Sequence, residues 1–444
     1  MTFLFIKLMN FRLLWITIVL IVVTSLTTTD AINCRYYNSF IGYSCELTTE
    51  LTNGKHEGWK GSEDVVLITS NGIVSIDVLP GLLLKEHENL TNFVIINSGY
   101  LQLNPFENCS MLKIVKFEDN LMSTLPDYLL KECSNIEQIS FSSNQIKTIE
   151  VKAFSGLNQL KFLSLNNNNI TKIDDNTFES LERLKFLSLS FNKIRKINEE
   201  TFKSAVNLLD LNLLHNQIAT IHENSLNSNL KLETLNLNGN LINDLHSGLF
   251  KGLMNLKSLV LSNNTISVIH VNTFKSLRNL TYLGLDNNDI EQINPLLFVK
   301  LINLKSLLLS NNSISSIDSS TFKSLKKLLN LELNLNKITE IHSDLFKSMK
   351  KLQTLDLSDN KIAAFYQDPF EGLNQITVLK LERNPIKILH NSFIKSLIVN
   401  DFWDADAKSC INEKYEQQED DIPISDINFE TCFGNNELNS TAHS

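Results

Sequence analysis

Residues 160–183 read LKFLSLNNNNITKIDDNTFESLER, and residues 184–207 read LKFLSLSFNKIRKINEETFKSAVN. The second stretch repeats the first at an offset of 24. Their common skeleton is LxxLxLxxNxIxxIxxxxFxxL, carried in the first by Leu160, Leu163, Leu165, Asn168, Ile170, Ile173, Phe178 and Leu181. Working outward in both directions, its asparagine returns as Asn120, Asn144, Asn168, Asn192, Asn216, Asn240, Asn264, Asn288, Asn312, Asn336, Asn360 and Asn384, without one insertion or deletion. A fixed period of this kind decides the architecture before any local reading does. A coil of 24 residues cannot bury its own apolar side, so coils stack and their inward residues build one continuous core. The LxL portion alternates in and out, as a short strand should. The asparagine, turned inward, offers both donors and acceptors, so it can satisfy turn backbone groups of its own coil and the next.

A second column lies ten residues after the ladder asparagines from Asn144 to Asn360: Phe154, Phe178, Phe202, Phe250, Phe274, Phe298, Phe322, Phe346 and Phe370, with Leu226 substituting once. It reads as a stacked aromatic spine on the side away from the strands. Towards the amino end the pattern degenerates into one coil around Val66, Ile68, Asn71, Ile73 and Ile76 and another around Leu90, Phe93, Ile95 and Ser98. Length alone suggests about three ordinary domains. The repeat makes it one elongated domain instead.

Residues 1–31 read as a secretory signal: Lys7 and Arg12 precede an apolar run from Leu13 to Val23, with a cleavage site at Thr29, Asp30 and Ala31. That run is short for a membrane span, and no later segment is long and apolar enough for one. The tail from Lys408 to Ser444 is polar and acidic, with no lipid-anchor signal. Six cysteines in a secreted chain suggest three disulfides. Cys109 and Cys133 stand 24 residues apart at the same point of adjacent coils, about 5 Å from one another, which suits a bridge. Cys34 with Cys45 and Cys410 with Cys432 would close caps over the two ends of the core. Glycosylation sequons begin at Asn89, Asn108, Asn169, Asn263, Asn279, Asn311 and Asn439, and none of these is a ladder asparagine.

The repeat resembles the typical 24-residue leucine-rich repeats of extracellular animal proteins, the class that includes Toll ectodomains and Slit. The resemblance extends over residues 60–400. It implies an α/β solenoid: a horseshoe with a concave parallel β-sheet and a convex side of loops or short helices. The expected organisation is a signal peptide at 1–31, an amino-terminal cap at 32–59, a solenoid of about 14 coils at 60–400 and an acidic carboxy-terminal cap and tail at 401–444. The stretch holding Cys34, Tyr43, Cys45, Gly54, Lys55, His56, Asp64 and Val65 is similar to secreted insect members of immune type. Toll-like signalling parts and the CxC motif of the usual carboxy-terminal cap are missing, and residues 400–444 carry no heptads.

The resemblance places the residues six, four and two before each ladder asparagine on the concave surface. Phe162 and Phe186 fall in one column there, the spot expected to anchor a protein partner. The same pair also reads as apolar neighbours that simply cover the sheet. Asp210, Tyr282, Asp286, Glu332, Asp356 and Glu382 fall on this face against Lys380. Lysines gather elsewhere, at Lys251, Lys275, Lys323 and Lys347 on the convex side and at Lys161, Lys185, Lys257 and Lys305 at strand entry. With a net charge of −9, this distribution argues against nucleic acid or anionic lipid in the concavity and for a basic or neutral protein surface.

His222, His246 and His270 recur six residues after the ladder in three successive coils. Stacked imidazoles bind divalent metals or act as a pH switch. Other coils put Asp174, Asn198, Asn294 and Asp318 there, residue types that cap turns, so the column also reads as turn capping, and no metal or cofactor is assigned. HExxH, GxSxG, GxxxxGK[ST] and CxxC are all absent, and only 14 glycines are available for cofactor loops, so an enzyme is not expected. The expected function is secreted protein recognition, in innate immunity or adhesion. A non-catalytic carrier or regulatory subunit, or a matrix component, is the alternative, and the ligand and oligomeric state stay open.

Overall fold

The computed structural model describes residues 91–96, 105–107, 109–365 and 367–389, together with the backbone strands Leu20–Ile21, Cys34–Ser39, Gly42–Leu47, Val65–Thr69 and Ile422–Pro423. The side chains of Cys34 and Cys45, the Cys410–Cys432 pair, most of the expected signal peptide, caps and tail, and the sequons at Asn89, Asn108 and Asn439 lie outside the described residues. The chain divides into two compact units, Met1–Asn169 and Ile170–Ser444.

In the first unit, strands Val65–Thr69, Asn92–Ile96, Ile114–Glu118, Gln138–Ser140 and Phe162–Ser164 pair in parallel. Phe93, Phe106, Phe117 and Phe141 fill the core beneath, with ring centroids 5.5–6.0 Å apart. In the second unit the parallel strands run from Phe186–Ser188 to Val378–Lys380, each paired at an offset of 24, as in Leu211↔Leu235 and Leu331↔Leu355. The first leucine of the LxL, central in its three-residue strand, is buried in both units, for example Leu163 and Leu283, and half-buried at Leu379 in the strand Val378–Lys380. The register follows from period two: a slip of one residue would turn every such leucine into solvent.

The ladder asparagines from Asn120 to Asn360 are buried, Asn384 is half-buried, and their amides are in use. Asn288 Nδ2 donates to Leu261 O and Leu285 O at 3.0 Å and to Asp286 O at 3.2 Å, while its Oδ1 accepts from Ile266 N at 3.0 Å. Asn240, Asn264, Asn312, Asn336 and Asn360 repeat the arrangement. The neighbour served is the preceding coil, not the next one as the sequence suggested. Each strand carbonyl is shared: Leu261 O accepts from Asn264 Nδ2 as well as from Asn288 Nδ2.

Immediately before each ladder asparagine the backbone turns left-handed, from Asp119 at φ 56° to Arg383 at φ 54°. Asn167, Asn263, Asn287, Asn311, Asp359 and Gly239 suit that conformation, whereas Phe191 and Leu335 do not. Leu335 is 48% exposed and held at φ 56°, its N–H donating to Ser358 O at 3.1 Å. Leu335→Asn is therefore expected to gain about 0.5–1 kcal/mol, read as a higher denaturant midpoint at constant m. A lower midpoint would mean that no strain resides there.

Of the loops or short helices expected opposite the sheet, loops are what the described residues show: they contain no helix, so this is a β solenoid in that region and not α/β. The segment opposite the sheet is spent on successive single turns, as in Thr177 N to Asp174 O, Leu181 N to Phe178 O and Leu184 N to Leu181 O, all spanning three residues. Such closures use the backbone groups that a four-residue helical bond would need. Short second strands such as Asp244–Leu245 and Val268–Ile269 pair in parallel between the sheet and these turns. The Phe column stacks there, with Phe250, Phe274, Phe298 and Phe322 at 6.1–6.5 Å spacing. Cys109 and Cys133 are joined, Cα to Cα 4.9 Å. No helix in the described residues is long and apolar enough to cross a membrane.

Candidate functional site

In the second unit the outward positions form rows in strict register. One row runs Val260, Gly284, Leu308, Glu332, Asp356 and Lys380 across adjacent strands. Gly284 is the small residue in it and is buried: a Cβ there would stand 2.7 Å from Ser262 Oγ, 3.4 Å from the Tyr282 ring and 3.5 Å from Val260 Cγ1, so these side chains close over its backbone. Tyr282 begins the same strand, and Asp286 follows two residues after Gly284. Tyr282 is half-buried, and burial first, then the charges of Asp286 and Glu332, push its phenol above the ordinary tyrosine range. The hydroxyl thus keeps its proton as a donor at neutral pH.

The carboxylates around Gly284 are held in place. Asp286 accepts from Ser262 Oγ and, at 2.8 Å, from Asn287 Nδ2; Glu332 accepts from Asn330 Nδ2 at 3.0 Å. Neither of these contacts carries positive charge, so both acids present their charge to solvent. Asp356, expected to be part of the binding face, is only 7% exposed. Its carboxylate is engaged by Lys380 Nζ at 3.2 Å and by Ser358 through its N–H at 3.0 Å and its Oγ at 2.6 Å, so it serves the sheet itself. Asp210 is half-buried opposite Phe186, and burial raises its carboxyl above the usual range. Phe162 and Phe186 are 41% and 38% exposed and belong to the first and second unit respectively. Gly284 was not expected from the sequence, although a lone glycine inside an LxL strand signals a close approach.

Among the sequons, Asn263, Asn279 and Asn311 are exposed and Asn169 is half-buried. Position six after the ladder does cap turns: Asn224 N donates to His222 Nδ1 at 3.3 Å, Leu296 N to Asn294 Oδ1 at 2.9 Å and Ser320 N to Asp318 Oδ1 at 2.8 Å. On the turn side Lys323, Lys326, Lys347, Lys350 and Lys351 line one depression, with Asp344 paired to Lys347 at 3.0 Å. Basic and acidic surfaces are thereby separated within the second unit.

Comparison with known proteins gives one family model, described as leucine rich repeat, which matches overlapping stretches from residues 110–170 through 326–386. No curated protein matches the sequence. Among solved structures, Toll of Drosophila, in its complex with Spatzle, is similar at TM-score 0.68 and 23% identity, covering 73% of this chain and 48% of that one. The TLR13–ssRNA13 complex is similar at TM-score 0.60 and 23% identity, covering 76% and 56%. A leucine-rich repeat protein of Leptospira interrogans matches at TM-score 0.63 and 23% identity, covering 76% and 82%. The chain spans about half the length of the Toll and TLR13 chains. At these identities the likeness is one of fold.

Proposed function

The chain belongs to the leucine-rich repeat family, and from that premise we propose that it is a secreted recognition scaffold holding a basic protein surface against the solvent face of its sheet. The observation that carries this reading is the cluster of polar groups about Gly284, the Tyr282 hydroxyl with the Asp286 and Glu332 carboxylates. An arginine or lysine from a partner fits it: the charged head meets carboxylates already ordered by their own hydrogen bonds. Ordered acids lose little freedom on binding, which favours affinity. A further acid, Asp210, lies on the same face. Toll, similar in fold, is solved with the protein Spatzle, and TLR13 with ssRNA. A face with this charge disfavours RNA, whose binding depends on basic residues. Immune recognition or adhesion is the setting this fits, with the exposed Phe186 of the same unit as a further contact.

The test compares proteins captured from the surrounding extracellular fluid by the native chain and by a Tyr282→Ala, Asp286→Asn, Glu332→Gln variant. A partner retained by the native chain, released by salt and retained at least tenfold more weakly by the variant is the expected result. Equal retention by both would move the binding surface elsewhere, and preferential capture of RNA would overturn the protein reading. Release of the expressed chain into the medium of secretory cells tests secretion; its retention inside them would refute that part.

A further inference from the structure

The geometry points to a divalent-cation site of zinc type formed by Asp244, His246 and His270, away from the sheet face and independent of its role. One ligand atom from each of the three residues lies within 4.8 Å of the others. His246 Nδ1 is 3.7 Å from Asp244 Oδ2, and His270 Nε2 is 3.6 Å from Asp244 Oδ1. Zinc bonds of about 2.0–2.1 Å in tetrahedral directions put ligand atoms about 3.3–3.5 Å apart. Small side-chain rotations are thus enough to bring the three atoms onto one ion.

The backbone beneath is already fixed. Asp244 pairs with Val268 and Leu245 with Ile269, so His246 and His270 follow at the same point of neighbouring coils, their rings stacked 5.9 Å apart. Thr273 Oγ1 donates to Leu245 O at 2.9 Å, and His270 N donates to the same carbonyl at 3.2 Å, tying both histidine segments together. Asp244 sits two residues before His246, on the short strand that leads into it. Its Oδ1 is buried and has no hydrogen-bond partner among the described residues. A cation would satisfy that oxygen and replace a costly orphan with a bond. His222 stands apart: it caps its own turn and lies 3.9 Å from Glu199. The histidine side chains are 56% and 50% exposed, leaving room for water or another donor at the remaining position. Two imidazoles and one carboxylate favour zinc over magnesium or calcium, which take all-oxygen sets.

Zinc chloride titrated calorimetrically into the full chain, without a histidine tag, tests the site. Saturable one-to-one binding is expected, weakened at least tenfold by Asp244→Asn and by His270→Asn and unchanged by His222→Asn. Zinc should raise the melting temperature of the native chain and not that of the two ligand variants, each of which should melt like the native chain without zinc. Binding equally strong in the ligand variants, loss equal in His222→Asn, or magnesium binding as tightly as zinc would each overturn the assignment.

Discussion

Asn288→Ala is expected to cost about 3–5 kcal/mol, more than most single changes in a chain of this kind. The amide makes four hydrogen bonds at once, to Leu261 O, Leu285 O, Asp286 O and Ile266 N. The losses are unequal. The carbonyls keep other donors: Leu261 O retains Asn264 Nδ2, Leu285 O retains Asn312 Nδ2 and Asp286 O retains Asn263 N. Ile266 is fully buried, and its N–H would lose the acceptor that Asn288 Oδ1 provides. An orphaned buried N–H costs about 1–3 kcal/mol, and the three lost donations with the small cavity supply the remainder. Because coils interact only with neighbours, the change should appear first as local loss of amide protection in the Asn264 and Asn288 coils, ahead of global unfolding in urea. Asn288→Asp separates the two roles of the side chain, since it keeps the acceptor and removes the donors. A midpoint for Asn288→Ala within experimental error of the native one would contradict this account of the ladder.

Phe298→Ala comes second, at about 3–5 kcal/mol. The ring is fully buried and stacks between Phe274 at 6.5 Å and Phe322 at 6.1 Å, so truncation removes two ring contacts and leaves a cavity. Phe298→Leu should cost less than half as much, because the Asn216 coil already carries Leu226 at this point and keeps it buried. That coil is not a clean precedent, since three residues on Asn229 replaces the usual leucine and buries an Oδ1 with no protein partner. Urea denaturation of the three proteins gives the ordering directly. An alanine variant as stable as the leucine variant would mean that filling this volume contributes nothing to stability, against this account of the spine.

Much of this was legible from period alone. Register, the inward ladder, the aromatic spine and the neighbouring positions of Cys109 and Cys133 all follow from residues 24 apart. The absence of helix was not legible, because the resemblance left both loops and short helices open where the backbone closes three-residue turns. The left-handed residue before each ladder asparagine was obscured by Phe191, His215 and Leu335, which mask the Asn, Asp and Gly that mark the position elsewhere. In the candidate site, the outward direction of Asp356 was readable, yet its burial depended on Lys380 one coil away and on Ser358. Asp244 is not legible from the period, because it joins the histidine column from a position two residues earlier.

The hydrogen bonds of the ladder give the stack a direction. Asn384 Oδ1 receives Ile362 N, Asn360 receives Ile338 N, and Asn336 receives Ile314 N, so every turn is completed by the coil that follows it. The two ends of any run of coils are therefore not equivalent. A coil removed from the leading end deprives its neighbour's asparagine of one acceptor carbonyl, while its own-coil carbonyls remain. A coil removed from the trailing end strands a buried N–H. Growth of the solenoid thus resembles a row of keystones, each locking the arch laid before it and waiting on its successor.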